Sequence, residues 1–403
     1  MTLKILAIGD LGNNISTLKK FIKSSEIHLI NFNWEGNSAV MDERNDTEFF
    51  STNKMSDFIK RINEIKNDFD ICLAMSSTGL LVSYLANLNY IAYFVGHEIR
   101  SPPFIKNSND PLSTEQPIYD FNFLERWFYK KAYENAIACV VSDDELLNVS
   151  QKYQLNTIRI SGYIEDTTIF NQDVKPIERK KTKFTFLSPA RMGLQKGTDK
   201  IWEALDLCKT NFEVLQVKWY DKRTPKEKQL AEKWIKNKPS KVKFLPIMKR
   251  EELAKYFMFA DAVLGQVRGL QGCIERQALF CKKPLVHYSN PEYKFVEDVE
   301  KINKPFILNS NKPSEIAQII DTIVESKENL DNLAAHGSEF VKIVDPSQIA
   351  HEWDEIFENY YNKFKKIERE TSHLRLLLLR ALYLIGNRLH YRKLKKLLRI
   401  NNG

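Results

Sequence analysis

Apolar runs of strand length alternate with amphipathic segments of helix length along nearly the whole chain. Leu3–Gly9 reads as a strand, Ser16–Lys23 as a helix and Glu26–Phe32 as a strand. The helix Met55–Lys66, the strand Phe69–Met75, a helix near Gly79–Ala86 and the strand Tyr90–Val95 continue the pattern. A proline-containing loop, Ser101–Pro117, then precedes a helix over Phe123–Glu134 and strands at Ala136–Val141 and Thr157–Ile160. Residues 171–183 are polar, with Pro176 and the run Glu178-Arg-Lys-Lys-Thr-Lys183, and read as a linker. The alternation restarts with strands at Phe184–Leu187, Glu213–Trp219, Val242–Leu245, Ala262–Leu264 and Pro284–His287. Helices are expected between them, and again at Pro313–Glu325, Asn329–Ile343 and Pro346–Lys365.

Strands joined by helix-length crossovers predict parallel, doubly wound sheets. The expected organisation is therefore an N-terminal Rossmann-like domain over 1–172 and a linker over 173–183. A second Rossmann-like domain follows over 184–345, then a returning helix over 346–366 and a basic tail over 367–403. A chain of 403 residues suits two such domains better than one. Two α/β domains facing each other make a cleft at the carboxyl ends of their strands, where ligands of this class bind.

Charge changes the picture at one end only. The net charge of +8 is matched by eight basic residues after Thr371: Arg375, Arg380, Arg388, Arg392, Lys393, Lys395, Lys396 and Arg399. No acid occurs there, so the body is formally neutral and the basicity belongs to the tail. That pattern argues for a local anionic target and against a protein-wide nucleic-acid surface. Cys72, Cys139, Cys208, Cys273 and Cys281 form no CxxC pair and sit in apolar or helical stretches. They read as free thiols in a reducing compartment, and no metal site is expected from them. The first residues lack a basic segment followed by a small-residue cleavage site, so no secretory signal is expected.

Four stretches carry candidate chemistry. Ser188-Pro-Ala-Arg-Met-Gly-Leu-Gln-Lys-Gly-Thr198 lies between a strand and a helix. A turn there, with Gly193 and Gly197, can offer backbone N–H groups and a positive helix end to phosphate, and Arg191 and Lys196 add two cations. A diphosphate leaving group needs that combination, because negative charge builds on it as the glycosidic bond breaks. In the second stretch Gly272 opens a helix whose first turns carry Glu275 and Gln277. The third, Val95-Gly-His-Glu-Ile-Arg100, ends a strand with His97 and Glu98 as candidate catalytic groups and Arg100 as an anion or acceptor contact; a Glu98–Arg100 salt bridge is the plainer alternative. The fourth, Gly9-Asp-Leu-Gly-Asn-Asn14, has two glycines at the wrong spacing for a dinucleotide fingerprint. It reads instead as a loop lining a cleft, with Gly12 and Asn13 on the acceptor side.

Together these residues resemble the retaining GT-B glycosyltransferases (glycosyl transferases group 1), with archaeal-type features in the first half. The resemblance covers most of residues 1–365. It is carried by Phe186-Leu-Ser-Pro-Ala-Arg191 with Lys196-Gly-Thr-Asp199, by Ala260-Asp-Ala-Val263, by Glu275-Arg-Gln-Ala-Leu-Phe-Cys-Lys-Lys-Pro-Leu-Val286 and by Gly96-His-Glu-Ile-Arg100. It implies that Arg191 and Lys196 neutralise the donor diphosphate, that Gly272 matches the glycine of the next phosphate loop, and that neither metal nor resident cofactor is needed. The co-substrate it implies is a UDP- or GDP-sugar. The family's two glutamates, eight positions apart, fall on Gly269 and Gln277 in this chain. Gln277 retains hydrogen-bonding capacity for a ribose hydroxyl, and Glu275 or Arg268 stands near for the sugar.

Leu374–Ile385 is apolar apart from Arg375 and Arg380 and is shorter than the roughly 20 residues a bilayer span requires. From Arg388 to Ile400, Leu389, Leu394, Leu397 and Ile400 alternate with basic residues at helical period, as expected of a helix lying in an anionic interface. A helix packed on the protein or on a second subunit is the plainer alternative. The expected protein is an α/β, two-domain GT-B glycosyltransferase, cytoplasmic and peripheral on the inner face of the cell membrane, acting on a lipid-linked or cell-envelope glycan acceptor. A catalytically degenerate GT-B-like scaffold and a sugar-nucleotide epimerase are the alternatives.

Overall fold

The computed structural model describes residues 2–32, 46–100, 123–142, 144–154, 156–220, 225–269, 272–288, 307–326, 330–332 and 344–400. The apolar runs of the first half become β1 (Leu3–Ile8), β2 (Ser25–Asn31), β3 (Thr47–Phe49), β4 (Ile71–Met75), β5 (Tyr90–Phe94), β6 (Ala138–Val141) and β7 (Thr157–Arg159). They pair in parallel in the order β3-β2-β1-β4-β5-β6-β7. The crossovers carry α1 (Asn14–Phe21), α2 (Met55–Ile65), α3 (Ser76–Leu85), the single turn α4 (His97–Arg100), α5 (Phe123–Glu134) and α6 (Asp144–Ser150). Central strands β4 and β5 are buried throughout, as the near-continuous apolar runs of a doubly covered parallel sheet require. The edge strand β3 has only three residues, none buried, and no alternation marks it in the sequence.

A second parallel sheet follows with β8 (Phe184–Ser188), β9 (Phe212–Val217), β10 (Val242–Leu245), β11 (Ala262–Leu264), β12 (Leu285–His287) and β13 (Ile307–Asn309), in the order β10-β9-β8-β11-β12-β13. Its helices are α7 (Thr198–Leu207), α8 (Pro225–Lys236), α9 (Arg250–Phe259), α10 (Cys273–Phe280) and α11 (Pro313–Glu325). The chain divides into two units, Met1–Gly162 with Ser347–Gly403, and Tyr163–Pro346, apart from a short segment outside the described residues. The second unit begins at Tyr163, before the polar stretch 171–183. Phe170 is buried in its core beside Leu187 and Phe257.

The last helices belong to the first unit. On α12 (Pro346–Phe364), Trp353 is buried edge-on against Tyr93 at 4.9 Å between ring centroids. Asp354 accepts hydrogen bonds from Lys23 N, Ser24 N and Ser25 Oγ, and Glu352 accepts from Ser161 N and Oγ. The following residues are stitched down by Asn89 N to Ile367 O and Asn87 Nδ2 to Arg369 O, and lead into α13 (His373–Ile400). Among the described residues no helix is long and apolar enough to cross a membrane.

Both sheets have one point where successive connections run in opposite directions: between β1 and β4 in the first, between β8 and β11 in the second. The loops leaving the carboxyl ends of those neighbouring strands diverge, opening a crevice there. In the first unit Gly9 lies at this point with φ +85°, and a Cβ on it would come 2.4 Å from the Met75 carbonyl oxygen. Gly9→Ala is expected to lower the first unit's stability by about 2–3 kcal/mol, combining left-handed strain with the overlap, as read by urea denaturation.

Candidate donor site

The turn after β8 and the loop after β11 meet at the second sheet's switch point. Arg191 follows β8, its guanidinium 5.9 Å from the centre of the Trp219 ring, and Met192 N donates to Trp219 O at 2.8 Å. A 3-10 turn over Leu194–Lys196 then enters α7 through Gly197. Gly197 has φ +75°, and a Cβ there would lie 2.5 Å from Val267 Cγ2, so only glycine fits. Gly193 differs: its backbone is extended, nothing lies within 4 Å of its would-be Cβ, and its N–H donates to Thr198 Oγ1 at 3.0 Å. It holds the turn together and does not offer that N–H outward.

Lys196 is bound to the neighbouring loop twice. Its carbonyl accepts from Val267 N at 3.2 Å, and its ammonium donates to Gln266 Oε1 at 2.9 Å. Gln266 is in turn held by Glu275, whose carboxylate accepts from Gln266 N at 3.0 Å, Gly272 N at 2.8 Å and, more weakly, Gln266 Nε2 at 3.4 Å. Nδ1 of the buried His287 lies 3.5 Å from Glu275 Oε1, an electrostatic contact longer than a good hydrogen bond. Burial pushes the Glu275 carboxyl up, but the His287 ring, the Gln266 N–H and the Lys196 charge together outweigh it and hold it down to about 2.

Glu275 is thus buried and turned inward, where it caps the amino end of α10 and fixes the orientation of the Gln266 amide. With a carboxylate at its nitrogen end, the amide presents its oxygen to Lys196. Arg268 is also turned to the protein, through Nε to Leu194 O at 2.9 Å and Nη2 to Asp199 Oδ2 at 2.7 Å. Gly269, at one of the two positions where the resembled family has glutamate, has φ +92°.

Gln277, at the other, belongs to a second buried cluster that the sequence does not announce. Its Nε2 donates to Glu165 Oε1 at 3.1 Å, which also accepts from Arg250 Nη2 at 2.6 Å. Burial raises the Glu165 pKa above the usual carboxylate value despite the Arg250 charge. Gln277 Oε1 is buried without a hydrogen-bond partner among the described residues. Arg276 Nη1 donates to Tyr163 O, and Arg250 lies 5.3 Å from the Phe170 ring centre. Glu165 and Arg250 come together only through the fold, 85 residues apart in the chain.

In the first unit, Gly12 and Asn13 lie in the loop after β1, both with positive φ. Asp10 there is buried and accepts from Ile15 N and Ser16 N at 3.0 Å, so the amino end of α1 is filled by the protein's own carboxylate. Ser76, at the carboxyl end of β4, has φ +73°, a conformation costly for a non-glycine residue. Glu98 is buried after β5, with its carbonyl accepting from Tyr129 OH at 2.8 Å. The backbone of His97 and Arg100 is helical; their side chains lie outside the described residues. All five cysteines are free thiols, each pushed up to about 12 with burial as the main cause. Among the described residues no three His, Cys, Asp or Glu side chains gather as a metal site.

Comparisons with known proteins place this geometry in a fold class. Anabaena HepE, solved in complex with UDP-glucose, superposes with a TM-score of 0.65 at 14% identity, over 89% of this chain and 100% of that one. The sucrose-phosphate synthase of Thermosynechococcus elongatus superposes with a TM-score of 0.67 at 13% identity, over 90% of this chain and 100% of that one. WaaG, a glycosyltransferase involved in lipopolysaccharide biosynthesis, gives 0.54 at 13% identity, over 88% and 99%. No family model and no curated protein matches the sequence. The fold is that of the GT-B glycosyltransferases.

A carboxylate with a lowered pKa stabilises the fold above its ordinary value of 4.5, and that contribution is lost as pH falls toward the folded-state value. Glu275→Gln is expected to cost about 3 kcal/mol at pH 7. The gap to the unsubstituted protein should close as pH falls from 4.5 toward 2, as followed by urea melts across that range.

Proposed function

We propose that the protein transfers a sugar from a nucleotide diphosphate donor to a hydroxyl acceptor with retention of configuration. The observation that carries this reading is the Lys196 ammonium, held by Gln266 at the switch point of the second sheet, in the same strand-to-helix turn as Arg191 and just before the amino end of α7. A diphosphate seated there would receive two cations and a positive helix end. As the bond from the anomeric carbon to the phosphate oxygen breaks, charge grows on the leaving group, and these groups stabilise it more than they stabilise the bound donor. The acceptor oxygen bonds the anomeric carbon on the same face, and its proton passes to the departing phosphate oxygen. The protein's part is orientation and electrostatics.

The HepE structures contain UDP and UDP-glucose, which makes UDP the first nucleotide to try here, with GDP next. Gly193, Gly197, Gly272 and Gln277 complete the donor side: Gly193 and Gly272 by leaving room for the ligand, since their N–H groups are taken up by Thr198 and Glu275, Gly197 by shaping the turn, and Gln277 through its carbonyl oxygen. Glu275 acts on the donor indirectly, through Gln266. In the first unit His97 and Glu98 act at the reacting centre, Gly12, Asn13 and Arg100 hold the acceptor, and the tail's composition supports a lipid-linked or cell-envelope glycan as that acceptor. The protein works in the cytoplasm, peripheral on the inner face of the cell membrane. No metal or nucleic acid enters the reading.

A scaffold that has lost its donor chemistry is the second reading, favoured by Gly269 and by the engagement of Gln277 with Glu165. Thermal melts separate the two. UDP at 100 times its dissociation constant is expected to stabilise the folded protein by about 2.7 kcal/mol. Lys196→Ala and Arg191→Ala should each remove about 1.5–3 kcal/mol of the binding energy, the range for hydrogen bonds to charged groups. If UDP, GDP and ADP and their sugar conjugates all leave the melt unchanged, the transferase reading falls and the scaffold reading stands.

A further inference from the structure

The first half of α13 does not project freely. Leu379 and Tyr383 pack against the first unit's core, and Tyr383 meets Phe128 edge-on with ring centroids 5.4 Å apart. Arg380 Nε donates to Leu85 O at 2.9 Å, and a Cβ on Gly386 would lie 3.1 Å from Leu124 Cβ. These contacts define a direction. Leu85 ends α3 just before β5, so it marks the amino end of the strands. Helix α5 ends at Glu134 just before β6, so its opening residues, Leu124 among them, lie a helix length away toward the strands' carboxyl ends. Between Arg380 and Gly386, α13 therefore climbs antiparallel to α5 toward the end of the sheet where ligands bind in this fold class.

The opposite strip of α13 is bare. Leu374, Leu377, Leu378, Leu382, Leu384 and Ile385 are between 43% and 70% exposed. At the upper end of α5, Phe123 is 73% and Trp127 42% exposed, one turn apart and next to the residues that face α13. Eight large apolar side chains on two packed helices form more apolar surface than scattered single residues, and such patches mark an interaction face.

We propose that α5 and α13 together form one docking face for an anionic lipid surface, with Phe123 and Trp127 entering the interface beside the leucine strip. This rests on the reading of a membrane-borne acceptor given above and says how the first unit is presented to it. Charge selects the partner. From Thr371 onward eight cations and no acid accompany the apolar strip, so a second copy of the chain would bring like charges together, whereas an anionic leaflet neutralises them. Trp127 suits the boundary, since an indole has an apolar body and a polar edge. The helix continues fourteen residues beyond Gly386, to Ile400. The strip climbs along α5 toward the carboxyl ends of the first unit's strands, so the docking face extends to the end of the sheet where the acceptor is expected.

Flotation of the full chain with vesicles tests this, comparing phosphatidylglycerol mixed with phosphatidylcholine against phosphatidylcholine alone. The unsubstituted protein should float with the anionic vesicles. The pair Phe123→Gln/Trp127→Gln and the pair Leu377→Gln/Leu378→Gln should each weaken binding by about tenfold or more, since each withdraws two apolar side chains from burial. All four positions are exposed, so unchanged melting temperatures verify that the variants fold. Brominated acyl chains should quench the unsubstituted protein's fluorescence more than that of Trp127→Phe. If the α5 pair floats like the unsubstituted protein while the leucine pair does not, the tail docks alone and this inference is overturned, with the membrane reading intact. If nothing floats, or if sedimentation shows a dimer that the leucine variant abolishes, the lipid face is overturned. The nucleotide melts remain a separate test of sugar transfer.

Discussion

One buried negative charge organises the second unit's candidate site. Glu275 is enclosed where an unpaired carboxylate would be costly, so the chain around it must supply donors. Gly272 N, Gln266 N and the Gln266 amide do so, with His287 alongside. Because the amide nitrogen of Gln266 faces a carboxylate, its oxygen faces Lys196. The cation that would meet a diphosphate therefore owes its position to an acid that need not touch the ligand. The turn after β8 and the loop after β11 are locked to each other by the same contacts, with the Arg268–Asp199 bridge and the Val267–Lys196 backbone bond completing the lock.

The first unit applies a related device at its own switch point. Asp10 fills the amino end of α1 as Glu275 fills the amino end of α10. At both places the positive end of a helix is satisfied from within. The strain at Asn13 and Ser76 sits beside this turn, in loops that leave adjacent strands. Left-handed backbone at two non-glycine residues persists because the packing around them over-determines their conformation.

In the tail two forces point outward. Apolar side chains that find no core on the first unit remain at the surface of α13 and α5, in a tail whose only charged side chains after Thr371 are cations. Arg380 shows how the helix is held: its guanidinium reaches a carbonyl at the end of α3, and partial burial lowers its pKa.

Much of the fold is legible in the linear pattern, because burial on both faces of a parallel sheet demands apolar runs that a single sequence displays. The strand-to-helix turn with Arg191, Lys196 and Gly197 is legible for the same local reason: strand, turn and helix are adjacent in the chain. The edge strand β3 pairs beside β2 with no apolar run to mark it in the sequence. Nor does spacing reveal that Glu275 faces inward while Gln277 meets Glu165, since the two lie on one short helix and differ only in which neighbours the fold brings to them. Phe123 and Trp127 likewise read as ordinary helix residues until α13 packs beside them. The two parallel α/β sheets, the strand–turn–helix that carries Arg191, Lys196 and Gly197, and the charge of the tail are all legible in the chain, because each depends on residues close in sequence. That Glu275 turns inward, that Gln277 meets Glu165 and that the apolar strip of α13 stays in water depend instead on contacts between distant segments, which form only on folding.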